Sequence, residues 1–237
     1  NNGDWATVKA DTEVPFGGEN GNLRLRGTNK YGTASAWNTY STITFTKDVD
    51  VACTGDIRTL LDWRNYSTVN TQNARFCYLF KDCAVLTSAP ELPAKELADN
   101  CYSGMFSGCT SLTAAPELKA TTLARSCYSS MFSGCTSLEK APELKATTLV
   151  ESCYESMFNG CTKLTSVTML APSDQISQAT YCCYNWLYNA GTDETVTSRT
   201  LIVTDEAAYN ALVNNTAYLP AIWKKDQCTV EYYTPKP

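Results

Sequence analysis

Residues 101–126 read CYSGMFSGCTSLTAAPELKATTLARS, and residues 127–152 repeat this stretch almost unchanged as CYSSMFSGCTSLEKAPELKATTLVES. We call them copy 2 and copy 3. A diverged copy 1, RFCYLFKDCAVLTSAPELPAKELADN, occupies residues 75–100, and a partial copy 4, CYESMFNGCTKLTSVTML, occupies residues 153–170. A fixed period of this size indicates one supersecondary unit packed on copies of itself. The period of 26 residues is set by Cys83, Cys109, Cys135 and Cys161.

Four apolar columns run through these copies, with one position of each column in every copy. A position that stays apolar in all copies is most simply a core position, because its side chain can stack on the equivalent side chain of the next copy. The columns are Leu79, Met105, Met131 and Met157; Phe80, Phe106, Phe132 and Phe158; Leu86, Leu112, Leu138 and Leu164; and Leu92, Leu118, Leu144 and Leu170.

Each copy is predicted to contain a helix followed by a strand. Leu97, Cys101 and Met105 lie at i, i+4 and i+8, which is the spacing of an apolar helix face. The next stretch, residues 112–118, predicts a short, bulged parallel strand, since Pro116 has no amide hydrogen to donate. Copies of this unit predict an α/β solenoid of about four 26-residue rungs.

The sequence on either side of the copies predicts caps, because the first and last rungs of a solenoid would otherwise expose an apolar edge. We assign residues 1–74 to a β-rich N-terminal cap, residues 75–190 to the repeat array and residues 191–237 to a C-terminal cap. The N-terminal cap has predicted strands at Trp5–Lys9, Leu23–Arg26 and Thr42–Thr46, turn signals at Gly17-Gly18 and Asn20-Gly21-Asn22, and one or two helical turns at Asp56–Trp63.

The C-terminal cap is predicted to run strand, helix, strand. Thr200–Val203 and Thr229–Tyr233 are the predicted strands, and Asp205–Val213 is the helix between them, with Thr204 as its N-cap. Just before this cap, a phrase that begins at Cys183 repeats the start of the copies at a longer spacing than 26 residues.

The chain has twelve cysteines and no histidine. Most of the cysteines fall in columns of the copies, and two that lie eight residues apart in one helix would be about 12 Å apart, too far for a disulfide bond. Side chains stacked in one column also point the same way, which is poor disulfide geometry. We favour buried free thiols that pack as small apolar groups over a ladder of disulfide bonds.

The composition argues against several classes of function. A formal net charge of -5 argues against a nucleic-acid partner, which requires a basic surface. No apolar run approaches the roughly 18 residues of a membrane span. Without histidine, Ser-His-Asp and Cys-His catalysis and mixed Cys-His zinc sites are impossible. We therefore expect no enzyme, no cofactor and no metal site, although composition does not exclude paired carboxylates of the kind that cleave glycosides.

The phrase M-F-x-G-C-T-x-L followed by A-P-E-L, repeated through residues 75–170, resembles the BspA-like leucine-rich repeats of surface proteins from gut and oral anaerobic bacteria. That family carries A-F-x-x-C-x-x-L before a short strand. The tail V-T-D-E-A-A-Y-N-A-L resembles the caps of such proteins, and the head F-G-G-E-N-G-N-L-R-L-R-G is similar to material that accompanies the repeats. The resemblance implies a right-handed leucine-rich-repeat array that acts in adhesion and in protein or glycan binding at a cell surface. Similar modules also suit phage adhesins.

One polar column recurs beside the predicted strand and is our candidate binding site. Glu91, Glu117 and Glu143 occupy the same place in three copies, and Lys119 and Lys145 follow two residues after the second and third of them. Rungs about 4.8 Å apart would bring like charges together, so the column must be solvated, paired with lysine or filled by a ligand. A solvated charged face and a recognition strip are the two interpretations.

Two further clusters lie in the N-terminal segment. Its aromatic residues could stack on sugars or anchor a protein partner, but a β-rich cap also needs an aromatic core, and we favour that role. Its acidic residues lack calcium-loop spacing, so we interpret them as solvated loop charges. The aromatic cluster is Trp5, Tyr31, Trp37, Tyr40, Trp63 and Tyr66, and the acidic cluster is Asp48, Asp50 and Asp56.

The sequence therefore predicts a non-enzymatic, extracellular binding or adhesion module. We expect it on a bacterial cell surface or a phage particle, with a protein or glycan on another cell or host as its partner. The alternative is a structural spacer or display scaffold in a cell-surface or phage-tail assembly.

Overall fold

The computed structural model describes residues 5–9, 11–16, 22–45 and 49–235. The helices and strands, in chain order, are β1 (Ala34–Ala36), β2 (Thr39–Tyr40), β3 (Val51–Ala52), β4 (Leu86–Ser88), β5 (Ser166–Met169), α1 (Ser173–Gln178), β6 (Thr200–Val203), α2 (Glu206–Asn214) and β7 (Thr229–Tyr232), with 3₁₀ turns at Ile57–Leu60 and Ala221–Trp223. The strands form three small sheets. The β1–β2 pair is antiparallel, the β3–β4 pair is parallel, and β5, β6 and β7 form a parallel sheet in that order.

The predicted α/β solenoid with leucine-rich-repeat geometry is wrong. Both α-helices of the described residues lie after the copies, so no copy contains the helix predicted around Cys101. The strands are short and belong to separate small sheets. Among the described residues, a single isolated bridge, between Ala114 and Lys140, joins copies 2 and 3 at the predicted strand positions. In the part of the chain that the structure describes, turns and small sheets stand where helix-strand rungs were expected.

The start of each copy is a run of turns, which we call the turn segment (residues 127–135 in copy 3). Its burial has a period of four, with two side chains facing inwards and the next two outwards. A residue with positive φ closes each outward pair; around copy 3 these are Ser126, Ser130 and Gly134, with φ of 54°, 55° and 75°. Apolar residues four apart also satisfy a helical spacing, which is why the sequence pattern favoured a helix.

Backbone amides in the turn segment donate alternately to a carbonyl of the same copy and to a carbonyl of the next copy. The amide of Ser129 donates within its own copy, to the carbonyl of Ser126 at 3.2 Å. The next amide, that of Ser130, donates to Glu155 of the following copy at 2.8 Å. An α-helix would direct every amide to the carbonyl four residues earlier in the same segment. Here every second amide instead links neighbouring copies through the main chain.

The apolar columns form the core, as predicted, and their rings stack. The rings of Phe106, Phe132 and Phe158 are completely buried, with centroids 5.6 and 5.8 Å apart and planes within 11° of parallel. A second column of rings runs beside the first at centroid distances of 5.9 to 6.1 Å. It consists of Phe76, Tyr102, Tyr128 and Tyr154.

One column position is predicted wrongly by a single residue. Leu144 forms a parallel bridge with Met169 and not with Leu170. Met169 is completely buried, whereas Leu170 is half-buried. The sequence period therefore shortens by one residue at the end of copy 4.

A second register shift follows copy 4. Tyr154 donates its amide to the carbonyl of Cys182 at 2.9 Å, as Tyr128 of copy 3 does to Cys153. Cys182, rather than Cys183, therefore has the place of the cysteine column. Residues 182–190 form a fifth turn segment, which contains the buried side chain of Trp186.

The N-terminal segment lacks the predicted strands. The described residues of 5–9, 23–26 and 42–45 contain no strand, because this segment bonds irregularly to copy 1. The amide of Ile43 donates to Leu79 at 2.7 Å, but no regular ladder continues from that contact. Thr46 and the predicted turn residues Gly17, Gly18, Asn20 and Gly21 lie outside the described residues.

The C-terminal elements lie close to their predicted positions. The strand Thr200–Val203 is confirmed, and the last strand ends at Tyr232, one residue early. The helix begins after Asp205, whose carboxylate accepts the amide of Ala208 at 2.8 Å. The N-cap is therefore Asp205 and not Thr204.

Candidate functional site

The charged residues singled out from the sequence lie where the backbone is extended and side chains alternate. In copy 3, Glu143 and Lys145 face outwards on either side of the buried Leu144. Glu117 and Lys119 repeat this arrangement in copy 2. Since alternate residues of an extended chain share a face, four charges from two copies lie on one surface. We call residues 117–120 and 143–146 extended segments, and Glu91, Glu117, Lys119, Glu143 and Lys145 the charged strip.

Ion pairs join the strip across copies 2 and 3. The Lys145 Nζ lies 3.0 Å from a carboxylate oxygen of Glu117 and 3.6 Å from one of Glu143. The Lys119 Nζ lies 3.7 Å from the other oxygen of Glu117. The glutamates are therefore paired with lysine, which was one of the states expected for this column. All four groups are exposed enough for water to weaken these pairs.

The pairing also favours the ionised forms of Glu117 and Lys145. The hydrogen bond from Lys145, followed by the attraction of its charge, holds the pKa of Glu117 below its ordinary value. The same hydrogen bond raises the pKa of Lys145. Both shifts favour the charged forms of Glu117 and Lys145, so this ion pair persists across the neutral range.

The alternation of glutamate and lysine in the strip is confined to copies 2 and 3. Glu91 is exposed in copy 1, but Pro93 stands where copies 2 and 3 have lysine. The main chain of Glu91 pairs with the N-terminal segment, because its amide donates to Gly55 at 2.8 Å. In copy 4, Thr168 and Leu170 flank the buried Met169, so no charge continues the strip.

An ion pair that the sequence analysis missed lies beside Glu91. Asp56, which forms a bridge with Glu91, accepts several hydrogen bonds from the Arg58 guanidinium, the shortest at 2.7 Å. Asp56 also accepts the Arg58 amide and so caps the first 3₁₀ turn. The sequence feature that could have indicated this ion pair is an Asp two residues before an Arg at the start of a predicted helix. Of the other acidic residues, Asp50 is exposed and Asp48 lies outside the described residues.

The N-terminal aromatic residues do not form the predicted core. Trp5, Tyr31 and Trp37 are 51%, 50% and 61% exposed. The Arg26 guanidinium lies 3.7 Å from the centroid of the Trp5 ring and 4.0 Å from that of Trp63. These indoles therefore sandwich a cation near the surface. In the described part of this segment, the buried apolar residues are instead Ala34, Ile57, Leu61 and Ala74.

All twelve cysteines are free thiols, and eleven of them are buried. This agrees with the interpretation favoured from the column geometry. The thiols of Cys109, Cys135 and Cys161 each donate to a phenylalanine carbonyl of the preceding copy, at 3.0 to 3.1 Å. Burial raises the pKa of Cys83 to about 11 and that of Cys101 to about 12. The reactive thiolate of these two residues is therefore scarce at neutral pH.

The described residues contain no group of three or more Cys, Asp and Glu side chains placed to hold a metal ion. Within the same ranges, no helix has both the length and the apolar character needed to cross a bilayer. Comparison with protein-family models, with curated proteins and with solved structures finds no match for this chain.

Proposed function

We propose that this chain is a non-enzymatic, extracellular binding module whose charged strip recognises a protein or glycan on another cell or host. The observation that supports the proposal is the regular placement of Glu117, Lys119, Glu143 and Lys145 on one exposed surface. Buried Leu118 and Leu144 lie between them and fix their direction. Such repetition lets weak contacts add up, which suits an extended partner such as a polysaccharide or a strand-like peptide.

The proposed location rests on the resemblance to BspA-like surface proteins, and either a bacterial envelope or a phage particle fits it. Free thiols are unusual outside the cell, where disulfide bonds form readily. Burial of eleven of the twelve thiols is compatible with that location, because an inaccessible sulfur reacts slowly with oxidants.

The test is charge reversal of the strip by Glu117→Lys with Glu143→Lys, assayed on whole cells and on arrays of glycans and proteins. The matched control is Glu139→Lys with Glu151→Lys, which makes the same change in net charge at exposed positions outside the strip. We expect the strip variant to lose the partner and the control to keep it. Salt should weaken binding only modestly, since the strip carries both signs of charge. Equal affinity of the two variants would reject the strip as the binding surface.

A structural spacer is the second candidate, and one observation favours it. The lysines and glutamates of the strip already pair with one another, so the strip needs no ligand to neutralise its charges. If the chain is only a spacer, neither variant changes attachment to any cell or array, and the unmodified chain binds nothing on them.

A further inference from the structure

A second candidate surface lies on the last turn segment, away from the charged strip. Tyr181, Tyr184 and Tyr188 are 56%, 38% and 53% exposed. The rings of Tyr181 and Tyr184 meet edge to face with centroids 5.6 Å apart. Tyr184 and Tyr188 occupy successive outward positions of the four-residue period, so they share one face.

The main chain beneath these rings is held firmly. The carbonyl of Tyr184 accepts the amide of Ser156, and the carbonyl of Tyr188 accepts the amide of Gly160, both at 2.8 Å. The amide of Asn185 donates to Ala217 at 2.8 Å on the other side. The backbone that carries the rings is therefore hydrogen-bonded on both sides, to copy 4 and to Ala217. This lowers the conformational entropy that is lost when a ligand binds.

Packing does not explain the tyrosines. The hydrogen-bond register places Glu155 and Asn159 of copy 4 opposite Tyr184 and Tyr188, and the equivalent residues of copy 3 are Ser129 and Ser133. Polar side chains without a ring thus suffice for these outward positions. Tyr181 has a φ of 54°, a conformation that bulky residues rarely adopt.

The chemistry around the rings is polar but almost uncharged. Asn159, Asn185 and Asn189 lie on the same outward face, and their side-chain amides form no hydrogen bond to any other described residue. Each amide offers donors and an acceptor to a ligand. Glu155, which is half-buried, is the charged residue at the outward positions of these two turn segments.

We propose that Tyr181, Tyr184 and Tyr188, together with Asn185 and Asn189, bind a neutral carbohydrate chain. A sugar ring has an apolar C–H face, which an exposed tyrosine ring can cover, and hydroxyl groups, which amides can hydrogen-bond. A polyanion would need cations, and these outward positions supply none. The inference goes beyond the charged strip, because it names a different surface and one class of ligand, and it does not depend on the strip.

The experiment is titration of the whole chain with neutral hexasaccharides of glucose, mannose, galactose, xylose and N-acetylglucosamine, followed by calorimetry and tyrosine fluorescence. We expect at least one of them to bind with micromolar to millimolar affinity. The double variant Tyr184→Ala with Tyr188→Ala should weaken that binding about tenfold or more, since each stacked ring contributes to it. Tyr184→Phe with Tyr188→Phe keeps both rings and should stay within about threefold of the original affinity.

The charge-reversed strip variant should bind the same sugar unchanged, which separates this inference from the proposed function. Circular dichroism of each variant checks that it is folded. The inference is overturned if no neutral sugar binds at millimolar concentration, or if the alanine and phenylalanine variants bind equally. It is also overturned if the alanine variant instead abolishes self-association of the chain, since the patch would then be a contact between copies of this protein.

Discussion

The turn segment and the extended segment of each copy make different kinds of contact with the adjacent copies. In the turn segment, alternate amides bond to the next copy and the rings of Phe132 and its equivalents stack directly on one another. In the extended segment, isolated bridges and exposed ion pairs make the connection. The turn segment therefore supplies most of the cohesion between copies, and the extended segment supplies a surface whose side chains can change at little structural cost.

The largest expected effect is on the turn segment. Phe132→Ala should lower the free energy of unfolding by about 3 to 5 kcal/mol, because it removes a buried ring from between two others. Chemical denaturation measures the loss. The neighbouring outward variant, Ser133→Ala, should change stability by no more than about 0.5 kcal/mol. A loss below about 1 kcal/mol for Phe132→Ala would contradict the stacked core.

The second largest effect should be a loss of folding stability at alkaline pH, because the turn segments contain the buried cysteines of the copies. Burial raises the pKa of Cys101 from 9.0 to about 12. The folded thiol keeps its proton while the unfolded chain loses one, so this stability is complete below about pH 9 and is lost as pH rises towards 12. Each such thiol should contribute a slope of about 1.4 kcal/mol per pH unit.

Denaturation under reducing conditions at about pH 8, 9 and 10 measures that slope. In Cys101→Ala the slope should be shallower by about the contribution of one thiol, whatever the variant does to stability at neutral pH. A stability that does not fall above about pH 9 would mean that the thiols are accessible to solvent.

A third prediction concerns the positive φ that closes each outward pair. Gly134 has a φ of 75°, and a Cβ added there would meet its nearest atom at 3.6 Å, so space is not limiting. Gly134→Ala should therefore cost about 1 to 2 kcal/mol from backbone conformation alone. A denaturation experiment that shows no loss would indicate an ordinary right-handed turn at this position.

The same geometry predicts a change of opposite sign one period earlier. Ser130 has a φ of 55°, so Ser130→Gly should stabilise the fold by about 0.5 kcal/mol once the greater freedom of glycine in the unfolded chain is counted. Its neighbour Ser129 is not left-handed, and Ser129→Gly should destabilise by about 0.5 to 1 kcal/mol. Two variants that shift the denaturation midpoint in the same direction would contradict the four-residue period.

The smallest effect should come from the extended segment. Glu117→Gln removes the negative charge from the 3.0 Å ion pair with Lys145, but both groups are exposed. We expect a smaller midpoint shift than for either serine variant, and one that vanishes in high salt. A shift that survives high salt would show that the ion pair is more shielded from water than its exposure indicates.

The sequence predicted the core better than the path of the backbone. Burial of the Phe132 column could be predicted because the position is apolar in every copy. Such a column is buried in any fold that stacks the copies. The backbone path could not be predicted from this recurrence, because the spacing of Leu97, Cys101 and Met105 fits a helix and a four-residue turn period equally well. Deciding between them requires knowing that the amide of Ser130 bonds to another copy, which is a long-range contact.

The candidate site likewise has some features that the sequence predicted and others that it did not. The outward direction of Glu117 and Lys145 followed from their place in the repeat, but their pairing across copies depends on which strands lie adjacent. The one-residue shifts at Met169 and Cys182 arise where the copies diverge, so the sequence period carried no information there. The exposed tyrosines at residues 181–188 were passed over because they lie in that diverged stretch.

The two buried columns of rings have an optical consequence. Rings held nearly parallel at 5.6 to 6.1 Å in a fixed, chiral arrangement couple their electronic transitions, and the tyrosines absorb where few other groups in a protein do. The near-ultraviolet circular dichroism of this chain should therefore carry a strong tyrosine band from Tyr102, Tyr128 and Tyr154. Because that band requires neighbouring copies to be in contact, it would follow their separation directly, even where the secondary structure within each copy changes little.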